Sequence, residues 1–410
     1  MGIRMNRHSF ITTILLLLVT GLLQAQSSLQ VKSAAQQAVQ KQSVFTIAIF
    51  APLYLDSAYT VQGESKTDKM SIPKNSRFGL DFIEGAMIAL DTLNKEKAPL
   101  SVYIFDTKSA KESIADQLKK SSLSNLSLII TYCSTAELKL FADEGLKRNI
   151  PVVNVNLPND GGVTGNPFFV LMNATLKTQC EALINFSKNQ FPKQSFVIFR
   201  RKGGVEDRIK SYFDETIKKA TSTKSIAVKY VELSDSFSID DLKKNIDSTK
   251  KTVCIAGSLD EQFGKRLAVQ IAQIAGSNDR LSLVGMPTWE DFKEFKKPEF
   301  RSLDIYYGNS FYFKEQEYLS EKLVSSYAEK FYTKPSDNTL KGFDAVWRFS
   351  KLLLTYGQNL SSNLSSKLYD TIRETDLQPI INTQTGTLDY FENKKIRFMK
   401  WQDGIITAAN

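Results

Sequence analysis

The sequence is nearly free of histidine. Its one histidine, His8, lies in an N-terminal stretch with the pattern of a secretory signal, so we expect the mature chain to contain none. Ser-His-Asp and Cys-His catalytic sites and histidine-ligated zinc or iron sites all need an imidazole. No phosphate-binding loop replaces them, because Gly257 and Gly264 are too widely spaced and Arg266 stands where that motif needs Ser or Thr. We expect no enzyme, no metal site and no cofactor.

Cysteine is also scarce. Cys133, Cys180 and Cys254 are the three cysteines, and an odd number excludes a framework of several disulfides. A single disulfide between two of the three cysteines is the alternative in an oxidising compartment. Cys254 lies in the apolar stretch "TVCIAG" and is expected in a core strand.

Neither positive nor negative charge is concentrated in one stretch of the sequence. The formal net charge is +9, but basic and acidic residues alternate, as in "FKEFKKPEF". A nucleic-acid site would need a basic stripe with stacking aromatics, and none is present. We predict a solvated surface and no nucleic-acid partner.

The N-terminus indicates export. A positive start leads into an apolar run over 11–23, and Ala25 closes a cleavage site. The run is short for a membrane span. We predict a signal peptide at 1–25, no lipid-attachment cysteine at the cut, and a Gln-rich tether at 26–44. The predicted location is the periplasm.

After Phe45, apolar strand patterns and amphipathic helix patterns alternate. Single helices between strands require crossover connections, which predict parallel sheets flanked by helices. A mature chain of about 385 residues exceeds one core, so two lobes are expected. Within this pattern we predict a helix at 110–120, three helices over 318–374, and closing hairpin-like strands with a turn at Glu392-Asn393.

Seven short motifs follow one another in a recognisable order: "APLYL", "GAMIALDTLN", "VYIFDTKS", "IITYCSTAEL", "IPVVNVN", "GFDAVWRFSKLL" and "GTLDYFENKKI". Their order and spacing resemble the type I periplasmic binding proteins of the Leu/Ile/Val-binding class, the solute receptors of ABC importers. The resemblance extends from Phe45 to the C-terminus.

The resemblance implies an α/β fold with two doubly wound parallel-sheet lobes joined by a three-strand hinge. The crossings are expected near Asn173, Ser310 and Pro379. Lobe 1 would then comprise 45–172 plus 314–378, and lobe 2 would comprise 173–313 plus 379–410. A small-molecule ligand would lie between the lobes, outside the carboxyl ends of the strands. An ABC permease in the inner membrane is the implied partner, and we expect a monomer.

Two departures bear on the ligand. Amino-acid receptors of this class usually have a tyrosine after the first lobe-two strand, where this chain has Arg200-Arg201. They usually place a carboxylate directly after the strand that matches "LSLVG", where this chain has Met286 to Trp289. "AGSLDE" and "GMPTWED" are similar to an envelope subset that often carries a LysM module, although no such module is present. The missing carboxylate weakens the case for a plain α-amino acid.

In lobe 1, Cys133, Ser134 and Thr135 begin a helix, and Ser134 with Glu137 forms a capping-box pattern. Capping explains this stretch by itself; in the resembled family the same turn also holds the ligand's carboxylate. Without a histidine base, we do not expect Cys133 to be a nucleophile. Tyr54 either covers a ligand or packs in its loop.

The remaining candidates have equally plain structural alternatives. Asn154 and Asn156 end a strand at the expected cleft, where turn hydrogen bonds are the alternative role. In lobe 2, the candidates are Arg200, Ser258, Asp260 and Trp289. Arg200 either attracts an anion or is solvated, Asp260 either meets an ammonium group or starts a helix, and Trp289 either stacks on a ligand or packs in the core.

These observations predict a periplasmic solute-binding protein that closes two lobes around a small polar ligand, amino-acid-like or anionic, for an ABC importer. The alternative is a cell-envelope scaffold or regulator that uses the same fold without transport and is related to peptidoglycan.

Overall fold

The computed structural model describes residues 44–60, 62, 64–66, 73–219, 227–247, 249–276, 280–370 and 372–409. The predicted signal peptide and the predicted tether, except for its last residue, lie outside the described residues. Thr46–Ala98 and Val102–Asn410 form one compact unit. Phe45 and Pro99–Ser101 belong to a second unit, in which the Phe45 amide donates to the Pro99 carbonyl at 3.0 Å.

The strands, in chain order, are β1 (Phe45–Ala51), β2 (Leu100–Asp106), β3 (Leu126–Thr131), β4 (Val152–Asn154), β5 (Phe169–Leu171), β6 (Ser195–Arg200), β7 (Val228–Glu232), β8 (Thr252–Ala256), β9 (Leu281–Gly285), β10 (Asp304–Asn309), β11 (Leu377–Ile381), β12 (Leu388–Asn393), β13 (Arg397–Gln402) and β14 (Ile405–Ala408).

The α-helices are α1 (Leu55–Ala58), α2 (Arg77–Lys95), α3 (Ile114–Leu118), α4 (Thr135–Arg148), α5 (Leu176–Gln190), α6 (Gly204–Lys219), α7 (Ile239–Lys243), α8 (Glu261–Ala275), α9 (Tyr318–Phe331) and α10 (Asp337–Tyr356). Short 3₁₀ helices lie at Lys74–Ser76, Ser121–Leu123, Pro287–Asp291, Lys293–Lys296, Pro298–Phe300 and Gly357–Asn363.

The first sheet has the strand order β11-β12-β5-β4-β3-β1-β2. Strands β1, β3, β4, β5 and β12 pair in parallel, and β11 adds antiparallel at the edge. Helices on both faces bury β1 and β3, which explains why both read as continuous apolar runs rather than alternating ones. The predicted parallel sheet with flanking helices is confirmed.

Helices α2 and α10 pack directly against each other on this sheet. A Cβ atom at Gly85 would collide with the Thr339 carbonyl oxygen, and one at Gly342 would collide with the Phe82 carbonyl oxygen. The two glycines therefore permit the close approach of the helix backbones. This packing fixes the N-terminal turn of α10 beside the first sheet.

The second sheet has the order β14-β13-β10-β9-β8-β6-β7. Strands β6 to β10 pair in parallel, while β13 and β14 add as antiparallel strands. Its core joins strand residues to α8 and to an aromatic group that contains Trp289, Phe292 and Phe295. The expected two-lobed α/β architecture is thus confirmed, with mixed rather than purely parallel sheets.

The chain passes between the sheets at three places: residues 172–175, residues 310–317 and residues 394–396. The expected placement of 379–410 in lobe 2 is wrong for its first part, because β12 pairs in parallel with β5 of the first sheet. The expected turn at Glu392-Asn393 is also wrong. Both residues end a buried strand, and the Glu392 carboxylate accepts the Thr175 amide at 2.7 Å.

The structure also differs from two smaller helix predictions. The helix expected at 110–120 is limited to Ile114–Leu118, where Ser113 accepts the Asp116 amide as the N-cap. Three α-helices were expected over 318–374, but α9 and α10 are followed by a 3₁₀ segment, Gly357–Asn363. Gly357 ends α10 with a φ of 56°, which glycine adopts without the strain that a Cβ atom causes.

A buried ion pair stands beside the crossings. Arg373 and Asp344 lie 2.8 Å apart, and their side chains are 2% and 3% exposed. The Arg373 guanidinium also donates to the Met172 carbonyl at 3.2 Å and lies over the Phe311 ring. Because Met172 and Phe311 adjoin two different crossings, one side chain contacts both of them.

Candidate functional site

Polar groups converge where four neighbouring strands of the first sheet end. Tyr54 follows β1, Lys108 follows β2, Ser134 follows β3 and Asn156 follows β4, and these strands are adjacent in the order β4-β3-β1-β2. Ligands of open α/β sheets bind outside the carboxyl ends of the strands. We call Tyr54, Lys108, Ser134, Glu137 and Asn156 the edge cluster.

Asp106, the last residue of β2, holds the loop that carries Tyr54. Its Oδ1 accepts the amides of Leu53, Tyr54 and Lys108 at 2.9, 3.2 and 2.8 Å, and its Oδ2 accepts the Leu55 amide at 2.8 Å. Tyr54 has a φ of 54° and a ψ of 36°, a left-handed conformation that is uncommon outside glycine. The carboxylate therefore stabilises an otherwise unfavourable backbone, which places Tyr54 at the edge.

The N-terminus of α4 is capped by a side chain of the same helix, that of Glu137. The Ser134 amide donates to Glu137 Oε2 at 2.8 Å, within the predicted capping box. Lys108 donates to the other Glu137 oxygen at 2.6 Å. Partial burial alone would lower the pKa of Lys108, but Glu137, with smaller contributions from Tyr54 and Cys133, raises it. Ser134 and Thr135 themselves are exposed.

The turn before α4 is fixed by Asn156. Its Oδ1 accepts the Cys133 amide at 3.0 Å, and its Nδ2 donates to the Cys133 carbonyl at 2.9 Å. Asn154 is fully buried; its Oδ1 accepts the Leu157 amide at 2.9 Å. Asn154 thus shapes its own turn, and Asn156 joins two strand ends.

Cys133 is a packing residue. Its side chain is buried, and burial raises the pKa of its thiol to about 12. A thiol in that state is a poor nucleophile, because the thiolate is the reactive form. Cys180 and Cys254 are also free and buried, so the alternative of one disulfide among the three is not seen.

The candidate ligand-binding residues of lobe 2 form ion pairs and hydrogen bonds within that lobe. Arg200 is buried and pairs with Asp207 and Glu232. Ser258 is also buried, and its hydroxyl donates to Glu206 at 2.7 Å. Asp260 accepts the Phe263 amide at 2.7 Å as the N-cap of α8 and pairs with Arg201 at 2.6 Å.

Trp289 lies in the core rather than at the edge of the sheet. Its side chain is fully buried against Gly264 and Gly285, with the rings of Phe292 and Phe295 about 5.5 Å away. A Cβ at Gly285 would overlap the indole. The packing role that the sequence left open is therefore the one observed, and stacking on a ligand would require this core to open.

Sequence reasoning missed Lys108, Asp106 and Glu290. Asp106 ends a predicted strand, so its position was available as a signal, whereas Lys108 lies two residues beyond that strand. Glu290 follows Trp289 in a 3₁₀ turn and accepts a hydrogen bond from Asn309. Desolvation by the surrounding protein, then the charge of Asp337 on α10, raises its pKa to about 7, although Lys341 opposes the shift and the residue keeps an exposed surface.

Two searches concern other kinds of site. Within the described residues, no three His, Cys, Asp or Glu side chains are grouped as metal ligands. In the same residues, no helix combines the length and the apolar character that crossing a membrane requires.

No family model matches the sequence, and no curated protein matches it. Solved structures do match. One is a branched-chain amino acid ABC transporter protein from Rhodospirillum rubrum, with a TM-score of 0.65 and 13% identity over 90% of this chain and 100% of the other. Another is a branched-chain amino acid ABC transporter periplasmic ligand-binding protein from Burkholderia xenovorans, with a TM-score of 0.60 and 10% identity over 89% and 94%.

A third match has a different role. The C-domain of LpoA from Haemophilus influenzae, a regulator of PBP1A, aligns with a TM-score of 0.56 and 14% identity over 89% of this chain and 100% of that domain. Identities this low establish shared architecture only. The chain therefore has the two-lobed fold of the type I periplasmic binding proteins, the fold of ABC-transporter substrate-binding proteins.

Proposed function

We propose that this protein is a periplasmic solute-binding protein that closes its two lobes around a small polar ligand and presents it to an ABC importer. The edge cluster carries the proposal. Four neighbouring strands place a phenol, an ammonium group, a hydroxyl and an amide at one edge. Backbone amides that donate to Asp106 and Asn156 hold the loops before any ligand arrives. Such preorganisation lowers the entropy cost of binding.

Binding suits this cluster better than catalysis. The buried Cys133 thiol has a raised pKa, and Lys108 forms an ion pair with Glu137 at 2.6 Å. A general base or nucleophile needs a free group whose pKa lies near the working pH. The groups of the cluster are instead hydrogen-bonding groups in fixed positions, as a ligand site requires.

The structural matches support the same proposal. The Burkholderia xenovorans protein is a periplasmic ligand-binding protein, and the Rhodospirillum rubrum protein is a branched-chain amino acid ABC transporter protein. The predicted signal peptide would bring this chain to the same compartment.

The proposal is tested by a thermal-shift panel of amino acids, small acids, sugars and muropeptide fragments. A ligand at about 100 times its Kd stabilises the folded chain by about 2.7 kcal/mol, which raises the melting temperature measurably. Tyr54→Ala should weaken or abolish the response to the strongest ligand. Lys139→Met is the control, because Lys139 lies on the exposed face of α4 and pairs with Asp143. A full response retained by Tyr54→Ala would exclude the edge cluster.

A second candidate function is an envelope scaffold or regulator. Its specific support is the internal pairing of Arg200, Ser258 and Asp260, which leaves few of the predicted lobe-two groups for a ligand. The LpoA C-domain, which belongs to a regulator, has a comparable fold. An unchanged melting temperature across the whole panel, together with sedimentation of the purified chain with isolated peptidoglycan, would favour this function over solute binding.

A further inference from the structure

Part of an anion-binding turn in lobe 1 is already occupied by the protein itself. The free amides at the start of a helix and a nearby ammonium group together form a site for a carboxylate. Here the amide of Ser134 and the ammonium of Lys108 both donate to one carboxylate, that of Glu137, at 2.8 and 2.6 Å. The preceding amide, that of Cys133, donates to Asn156. Two amides and the cation therefore already have acceptors.

The Glu137 contact is more than a helix cap. The same capping-box pattern occurs at α7, where the Ser238 amide donates to Asp241 at 2.9 Å. The Asp241 side chain is 44% exposed and its lysine partner lies one turn along the helix. The Glu137 side chain is only 14% exposed, and its partner Lys108 comes from the end of a different strand. Lys108 thus joins two segments across the edge cluster.

We propose that Glu137 occupies the carboxylate position of this site, so that the ligand has no free carboxylate there and is a neutral compound rich in hydroxyl or amide groups, such as a sugar. This inference rests on the proposed ligand-binding function. A ligand carboxylate would have to share donors with the anion of Glu137, and two neighbouring carboxylates repel each other. Ser134 and Thr135 are exposed, so the Thr135 hydroxyl and the Tyr54 phenol remain for neutral groups, while the Ser134 hydroxyl accepts the Glu137 amide in the capping box and can still donate.

Chemical rescue tests the filled position. Glu137→Ala leaves the Ser134 amide and Lys108 without their acceptor, and added acetate can replace the missing carboxylate. We expect about 100 mM sodium acetate to raise the melting temperature of Glu137→Ala by about 3 °C relative to sodium chloride. The wild type and the matched variant Asp241→Ala should respond equally to the two salts. Glu137→Ala melting that is insensitive to acetate would overturn the inference.

The ligand class is tested with glucose and glucuronate, which differ by one carboxylate, and with L-leucine. In the wild type, neither glucuronate nor L-leucine should bind through Lys108, whereas Glu137→Ala should gain affinity for them by at least about tenfold as the donors become free. Wild-type binding of L-leucine that is lost in Lys108→Met would overturn the inference while supporting the proposed function. The acetate response needs no ligand, so the inference can hold even if the whole panel fails and the proposed function falls.

Discussion

Replacing Asp106 should destabilise the first lobe and the edge cluster together. Asp106 is 7% exposed and accepts four backbone amides, from Leu53, Tyr54, Leu55 and Lys108. Asp106→Ala removes all four acceptors at once. Asp106→Asn keeps the shape and, with its oxygen in the Oδ1 position, retains three acceptor contacts. It then turns an NH₂ group toward the Leu55 amide.

The magnitude follows from these contacts. A hydrogen bond to a charged group contributes about 1.5–3 kcal/mol, and a buried donor left unpaired costs about 1–3 kcal/mol. Only the Leu53 contact is fully buried, so water can replace part of the others. We expect Asp106→Ala to lower the free energy of unfolding by about 4 kcal/mol and Asp106→Asn by about 2 kcal/mol.

Urea unfolding followed by tryptophan fluorescence and circular dichroism measures both values. Asp143→Ala is the control, because Asp143 is an exposed acid that pairs with Lys139 across one helix turn, and surface pairs contribute about 0–1 kcal/mol. A loss below about 1 kcal/mol for Asp106→Ala would refute the role given to this carboxylate.

Three further outcomes are expected. Asp344→Asn leaves Arg373 as an uncompensated buried charge and should cost about 3–5 kcal/mol in urea unfolding; a loss within error of zero would show that the pair is not buried in solution. Desolvation by the surrounding protein raises the pKa of Glu290 to about 7 from its ordinary value of 4.5, so the folded state binds the extra proton and its stability should fall as pH rises from 4.5 to 7. Melting curves of Glu290→Gln should lack this part of the pH dependence, and an unchanged profile would contradict the shift. The three buried thiols, whose pKa is raised to about 12 by burial, should react with a thiol reagent only after unfolding; rapid reaction of the native protein would contradict their burial.

The fold could be predicted because its signals are local. Buried apolar strands and amphipathic helices alternate along the chain, and each pattern reports its own period. The end of the chain was harder: "GTLDYFENKKIRFMKW" looks like one hairpin, yet β12 and β13 belong to different sheets. Strand pairing depends on distant partners, here β5 and β10, and no local pattern specifies them.

The site could be predicted only in part. Tyr54, Ser134 and Asn156 were found because residues after parallel strands share one edge. Lys108 was missed because a single lysine after a strand has no distinctive pattern until Glu137 is seen beside it. Arg200 was an open question for the opposite reason: its partners Asp207 and Glu232 come from a helix and a neighbouring strand. Whether a charged side chain is available to a ligand depends on ion pairs with other helices and strands. The spacing of residues along the sequence does not show those ion pairs.

Whether the edge cluster binds a ligand is decided by comparing two tyrosine variants in one calorimetric titration. The titrant is the panel compound that raises the wild-type melting temperature most. Tyr54→Ala removes the aromatic group at the edge, and Tyr332→Ala removes one that is 92% exposed at the end of α9. We predict that Tyr54→Ala weakens binding by at least about tenfold, equivalent to 1.4 kcal/mol, and that Tyr332→Ala binds as the wild type does. Equal affinities for the two variants would contradict a ligand site at the carboxyl edge of the first sheet.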